Sequence, residues 1–226
     1  ENLYKGVNQA LDYFGGKIIG GDCSLGKEKV ISITAFGRQG KLDLRRTACK
    51  PGEIILTTGI HGLSKLGLMI KSKHSFDNGI FLPKRLINKS LKHFSRPKPK
   101  KNFLKKLLKA KSNIKKTEIG CTDSSDGLFQ AVQDLAIASS CKAIIDYKKL
   151  PKDKHWPEGD VWDEYYLFGG EDYELVFSLP KQWAKNLSKL DKNINEIGYF
   201  TKGDPSIEFI DNKKNKLFNN TPYKHF

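Results

Sequence analysis

The chain has 226 residues, 38% of them hydrophobic and 11% aromatic, with 20 Gly and 9 Pro; that suffices for one large or two small globular domains and excludes a stapled mini-protein, a fibrous repeat and a disordered chain. Its net charge of +15 is local: 14 of the 40 basic residues lie between Lys84 and Lys116, residues 78–117 contain no Asp or Glu, and the remainder is close to neutral. No apolar run approaches the roughly 20 residues of a membrane-spanning helix, and Cys23, Cys49, Cys121 and Cys141 form no CxxC pair, so neither zinc site nor disulfide framework is indicated and a reducing cytoplasm is the expected compartment.

In chain order, Leu3, Val7, Ala10, Leu11 and Phe14 recur at three- to four-residue spacing and predict a helix already in progress at Glu1. The chain therefore reads as the later part of something longer. Gly15 and Gly16 end that helix, Lys17 to Ile19 reads as a short strand, and Val30 to Phe36 alternates with the period of a half-buried strand. A domain boundary is placed at 43/44, giving a residual N-terminal domain (1–43) and a C-terminal domain (44–226). A turn at Pro51-Gly52 opens the strand Ile54 to Thr58, and Gly59, Gly62 and Gly67 punctuate the next helix start. Phe81 to Leu108 is helical, broken by Pro83, Pro97 and Pro99, and Asp126 to Ser140 is the clearest amphipathic helix. Strands follow at Ala143 to Tyr147 and Tyr173 to Leu179, a helix at Gln182 to Leu190, and strands at Glu196 to Phe200 and Ser206 to Ile210. Strands alternating with helices place the chain in the α/β or α+β class.

Three acid-bearing loops carry the chemistry. In GGDCS, Gly20 and Gly21 let backbone approach a ligand closely and Asp22 offers a carboxylate, although the same three residues also make an ordinary turn. In CTDSSDGL, Asp123 and Asp126 flank Ser124 and Ser125 at a helix start. One of them would suffice as an N-cap, worth about 1 kcal/mol; the second carboxylate is surplus and suggests oxygen ligands for a hard cation, with phosphate near the helix end. In LFGGEDYELVF, Glu171 and Asp172 follow a glycine pair and precede a strand, again compatible with a plain turn. His61, His74, His93 and His155 fall in loops or basic stretches and read as exposed. No GxxxxGK[ST] is present, since Gly59 to Lys65 lacks the second glycine at the required spacing, which excludes a P-loop kinase.

GGDCS, RRTACKPGEIILTTGIHGLSKLGL, RPKPK, TDSSDGL, FGGEDYEL and the terminal YKHF stand in an order and spacing that resembles the thiamine-monophosphate kinase family, of the aminoimidazole ribonucleotide synthetase superfamily. The resemblance spans essentially the whole chain. It implies a mixed-sheet, two-domain fold with the N-terminal domain only partly present, and ATP-dependent phosphorylation of thiamine monophosphate to thiamine diphosphate with several Mg²⁺ ions. By motif, Asp22, Asp123 and Asp126 are the implied Mg²⁺ ligands, the last two also the catalytic pair. Tyr4, Gly21, Asp22, Arg46 and Ser125 are the implied ATP contacts, and Glu171 and Tyr223 the substrate contacts. A homodimer is implied for the complete protein, while the family's first metal loop has no counterpart in these residues. Glu53 stands where the family usually has Asp, and His61 and Lys65 make their turn unusually basic.

An acceptor phosphate with a second pKa of about 6 is largely ionised near neutrality, so in-line transfer needs no strong general base. Two alternatives stay open: a superfamily enzyme acting on another substrate, and a nucleic-acid-binding module built on the Lys84–Lys116 segment. That segment reads instead as a solvated lysine-rich surface, with nucleic acid not expected as a partner.

Overall fold

The computed structural model describes residues 2–73 and 81–211 and divides the chain into two compact units, Glu1–Gln39 and Gly40–Phe226. In the first unit α1 (Asn2–Phe14) buries no residue, and residues 15–39 form neither helix nor strand. The strands expected at Lys17–Ile19 and Val30–Phe36 are therefore not formed, and Ile18, Ile19, Ile31, Ile33 and Phe36 are exposed. Alternation only states which face of a strand would be buried. A strand also needs a neighbour to take up its N–H and C=O groups, and two strands alone are marginal in water.

The second unit is a mixed α/β domain built on one seven-stranded sheet, in the order β1-β3-β5-β2-β6-β4-β7. The strands are β1 (Asp43–Arg45), β2 (Ile54–Thr58), β3 (Glu118–Asp123), β4 (Lys142–Ile145), β5 (Leu175–Leu179), β6 (Ile194–Thr201) and β7 (Ser206–Phe209). The outer pairs β1·β3 and β4·β7 are parallel and the inner pairs antiparallel. All five residues of the central β2 are buried, which explains why Ile54, Ile55 and Leu56 follow one another where a half-exposed strand would alternate.

Helices cover both faces. On one lie α2 (Leu63–Lys71), α3 (Lys84–Ser95), α5 (Leu128–Ala138) and α6 (Asp160–Phe168); on the other, α4 (Phe103–Ala110) and α7 (Lys181–Leu190). The period-2 geometry of the strands sorts the core between them. Ile55 and Val176 face the first layer, whereas Ile54, Leu56, Phe177 and Leu179 face the second. Trp183 of α7 is fully buried and its indole N–H donates to the Leu107 carbonyl at 2.9 Å, fastening α7 to α4. The prolines act at helix edges: Pro83 is the N-cap position of α3, and Pro97 and Pro99 lie in the break between α3 and α4. The strand expected to begin at Tyr173 begins instead at Leu175, because the Tyr173 φ of 51° is incompatible with strand geometry.

Candidate active site

β3 ends at Asp123, and the Ser124–Gly127 turn reverses the chain into α5. The N-cap of α5 is Gly127 at φ 95°, with no side-chain cap, and the Ser124 hydroxyl instead accepts from the Glu174 N–H at 3.1 Å. A Cβ on Gly127 would lie 3.0 Å from the Leu167 carbonyl oxygen, so the turn passes directly under the end of α6. Asp123, Ser125 and Asp126 are half-buried, at the lip of the domain.

The GGEDYE turn packs against this one through main-chain bonds. The Glu171 N–H donates to the Ser125 carbonyl at 2.7 Å and the Ser124 N–H to the Glu174 carbonyl at 2.8 Å. Its own residues alternate: Glu171 and Tyr173 are exposed, Asp172 and Glu174 are each 2% exposed. Glu171 (φ 65°) and Tyr173 (φ 51°) both occupy the left-handed region, which a residue with a Cβ adopts only where its surroundings impose it. Here the imposing contacts are the two buried carboxylates. Asp172 accepts from the N–H of Gly62 at 2.5 Å and of Ser64 at 2.8 Å, capping α2 from the loop that precedes β5. Gly62 is that helix's N-cap position and has no side chain to do so. Glu174 accepts from Thr58 Oγ1 at 2.5 Å and from Lys100 Nζ at 2.7 Å, and His93 approaches Asp172 at 3.5 Å and Glu174 at 3.9 Å.

Arg46 begins the short 3-10 helix Arg46–Ala48 and is exposed. Its Nε donates to Thr122 Oγ1 at 3.1 Å and its guanidinium lies 3.4 Å from Asp134 of α5, so it flanks the aspartate turn. In the first unit, Tyr4 Oη lies 3.2 Å from Cys23 Sγ, and the Cys23 N–H donates to Asp22 Oδ1 at 2.8 Å; the hydroxyl's bond to Cys23 raises the Tyr4 pKa. Gly21 beside them has open space around it. The structure thus groups the expected residues in two sets, Tyr4, Gly21 and Asp22 in one unit and Arg46, Asp123, Ser125, Asp126 and Glu171 in the other. Tyr223 and His74 lie outside the described residues.

Three readings change. His61 is not exposed but fully buried; burial pushes its imidazole below the usual histidine value, and Asp172 and Glu174 only partly oppose this. Its Nε2 is 2.7 Å from Thr57 Oγ1, and Nδ1 has no hydrogen-bond partner among the described residues. His93 and His155 are half-buried and face acids, His155 lying 3.4 Å from Asp153. The lysine-rich segment is more than a solvated face. Lys89 pairs with Asp153, Lys100 with Glu174, Lys106 with Asp191 and Lys116 with Glu53. Glu53, 5% exposed, also accepts from Ser178 Oγ at 2.7 Å and holds its own turn through the Lys50 N–H at 3.1 Å. The structural roles of Asp172, Glu174 and Lys100 escaped the sequence reading, because nothing in the order of residues in GEDYE marks which of its acids point inward.

By donor type Asp123 and Asp126 fit Mg²⁺, which is commonly held by one or two carboxylates with water and phosphate oxygens completing its shell. Among the described residues no three His, Cys, Asp or Glu side chains group tightly enough to hold an ion by themselves. Burial pushes the Cys121 thiol up to about 12 and raises Cys49 and Cys141, which disfavours the reactive thiolate form. No helix among the described residues is long and apolar enough to cross a membrane.

Residues 50–210 match the family model of the AIR synthase related protein, C-terminal domain. A thiamine-monophosphate kinase of Prochlorococcus marinus is 39% identical over 226 residues, covering 100% of this chain and 68% of that protein. One of Nitrosopumilus maritimus is 32% identical, covering 100% and 70%, and one of Synechococcus elongatus 31% identical, covering 84% and 57%. Among solved structures, a thiamine-monophosphate kinase from Stenotrophomonas maltophilia superposes with a TM-score of 0.60 at 22% identity, over 74% of this chain and 52% of that one. AaThiL complexed with AMPPCP and TMP does so with a TM-score of 0.59 at 24% identity, over 81% and 54%. The chain thus spans 57–70% of these curated relatives and about half of these solved chains.

Proposed function

From a chain that belongs to the thiamine-monophosphate kinase family of the AIR synthase related proteins, we propose that the protein phosphorylates thiamine monophosphate with ATP, giving thiamine diphosphate. The observation that carries this reading is the pair of aspartates gathered at the start of α5, whose N-cap position is a glycine. A helix N-terminus attracts phosphate. Asp123 and Asp126 would hold Mg²⁺, and the ion would neutralise charge on the phosphates of ATP and acceptor; in the other unit, Asp22 carries over from the family motif as a Mg²⁺ ligand. The chain's own groups do the rest. Arg46, exposed and steered by Thr122 and Asp134, contacts the polyphosphate together with Ser125, while Tyr4 and Gly21 of the other unit carry over from the family motifs as nucleotide contacts. Glu171, turned outward by its left-handed backbone, and Tyr223 meet thiamine monophosphate. The acceptor phosphate is already ionised near neutrality, so transfer is direct and in line, with positioning as the protein's main task. A cytoplasmic homodimer without nucleic-acid partners belongs to the same reading.

The test is Asp126→Asn in the full-length protein, which keeps the side chain's shape and removes its charge. Calorimetry with Mg·ATP and a turnover assay are expected to show weaker nucleotide binding and a rate loss on the order of 10²-fold, the scale of losing one preorganised electrostatic group. Unchanged affinity and turnover would sink the assignment.

A further inference from the structure

We propose that Lys100 is a positioning residue: its ammonium, acting through Glu174, locks the GGEDYE turn against the Ser124 turn. Lys100 closes the RPKPK segment, where Pro97 and Pro99 stiffen the backbone. Three residues on, Phe103 packs edge-on against Phe177 of β5 with ring centroids 4.9 Å apart, and its N–H donates to the Lys100 carbonyl at 2.9 Å. Lys100 is therefore delivered to the start of the strand that Glu174 precedes.

Glu174 is the joint between the two turns. Its N–H and C=O are both bonded to Ser124, at 3.1 and 2.8 Å, so wherever its backbone goes the aspartate turn follows. Its carboxylate lies against the backbone of Gly59, in the space that a Cβ there would fill, 2.1 Å from Oε1. A carboxylate 2% exposed needs a cation. Lys100 at 2.7 Å is the one ammonium or guanidinium in bonding range among the described residues, with His93 Nε2 farther off at 3.9 Å. Removing one partner of a buried pair leaves an uncompensated charge that must be hydrated or protonated. Either response loosens the bonds to Ser124 and, one residue on, the Glu171 N–H bond to Ser125. That the loosened turns weaken ligand binding rests on the kinase reading; the lock itself does not.

The experiment compares Lys100→Met, Lys100→Arg and the double variant Lys100→Met/Glu174→Gln in the full-length protein. Native-state amide exchange is read at Ser124, Glu171 and Glu174, with Ile197 and Phe200 of β6 as reference, alongside calorimetry with thiamine monophosphate. Lys100→Met is expected to speed exchange at the three turn amides about tenfold or more, the reference amides holding their rates, and to weaken thiamine monophosphate about tenfold. Arginine, which keeps the charge, and the double variant, which removes both charges, should restore both readouts. Wild-type exchange at the three amides in Lys100→Met, equal acceleration of turn and reference amides, or no recovery in the double variant would each overturn the proposal. If the exchange pattern holds while the wild-type protein binds no thiamine monophosphate, the lock stands and the kinase reading fails.

Discussion

Replacing Asp172 with Asn tests whether a carboxylate from the GGEDYE turn caps α2. The side chain of Asp172 is fully buried, and its two oxygens accept from the N–H groups of Gly62 and Ser64 at 2.5 and 2.8 Å. Asparagine has the same shape, but one oxygen becomes an NH₂ that faces a backbone donor. One bond survives as a neutral one, roughly half as strong as its charge-assisted parent. The other is lost and leaves a buried N–H without an acceptor, at about 1–3 kcal/mol. Relief from burying a charge offsets part of this, so the expected loss is about 2–4 kcal/mol. With a urea m-value of about 2 kcal/mol/M, the unfolding midpoint falls by about 1–2 M. Amide exchange should speed first at Gly62 and Ser64, because the damage begins at the first turn of α2. A midpoint shift under about 0.3 M, or a large shift with those two amides still as protected as the wild type's, would refute the capping argument.

Lys116→Met should cost about 3–5 kcal/mol in urea unfolding, because it strands the Glu53 carboxylate under the sheet, whereas adding Glu53→Gln should recover most of the loss; equal midpoints for the single and double variants would refute this. Gly59→Ala should yield little folded protein by circular dichroism, since its φ is +61° and the new methyl would sit 2.1 Å from Glu174 Oε1. For Asp153 and Asp191, burial alone would raise the carboxyl pKa, but bonds from Lys89 and Lys106 outweigh it and hold both below the usual aspartate value near 4. A depressed folded-state pKa contributes stability that is present above the unfolded value and lost as pH falls through the folded one. Stability measured from pH 5 to 2 should therefore fall, and Lys89→Met and Lys106→Met should each flatten that slope.

Local chemistry was legible from the chain itself. The run Ile54–Thr58, bounded by Pro51-Gly52 and Gly59, forms β2 over those same residues, and the apolar face of Leu128, Ala131, Val132 and Leu135 is buried in α5. The aspartate turn and the order of the three acidic loops were visible for the same reason, since each is a matter of neighbours in sequence. Some local signals went unread, such as Gly159 followed by Asp160 and Asp163 in the first turn of α6. Others had none to read. β1 is three residues long and acquires its state from its parallel neighbour β3, while Val30–Phe36 has the better pattern and no ladder. What the acids do was decided only in the tertiary structure. Asp172 finds its partners 108 and 110 residues away and Glu174 its cation 74 residues away, so no periodicity could distinguish them from Glu171, which the turn's left-handed backbone leaves facing water. Periodicity reports the face a side chain takes along one element; a buried charge is settled by which distant group is brought within about 3 Å to replace its water.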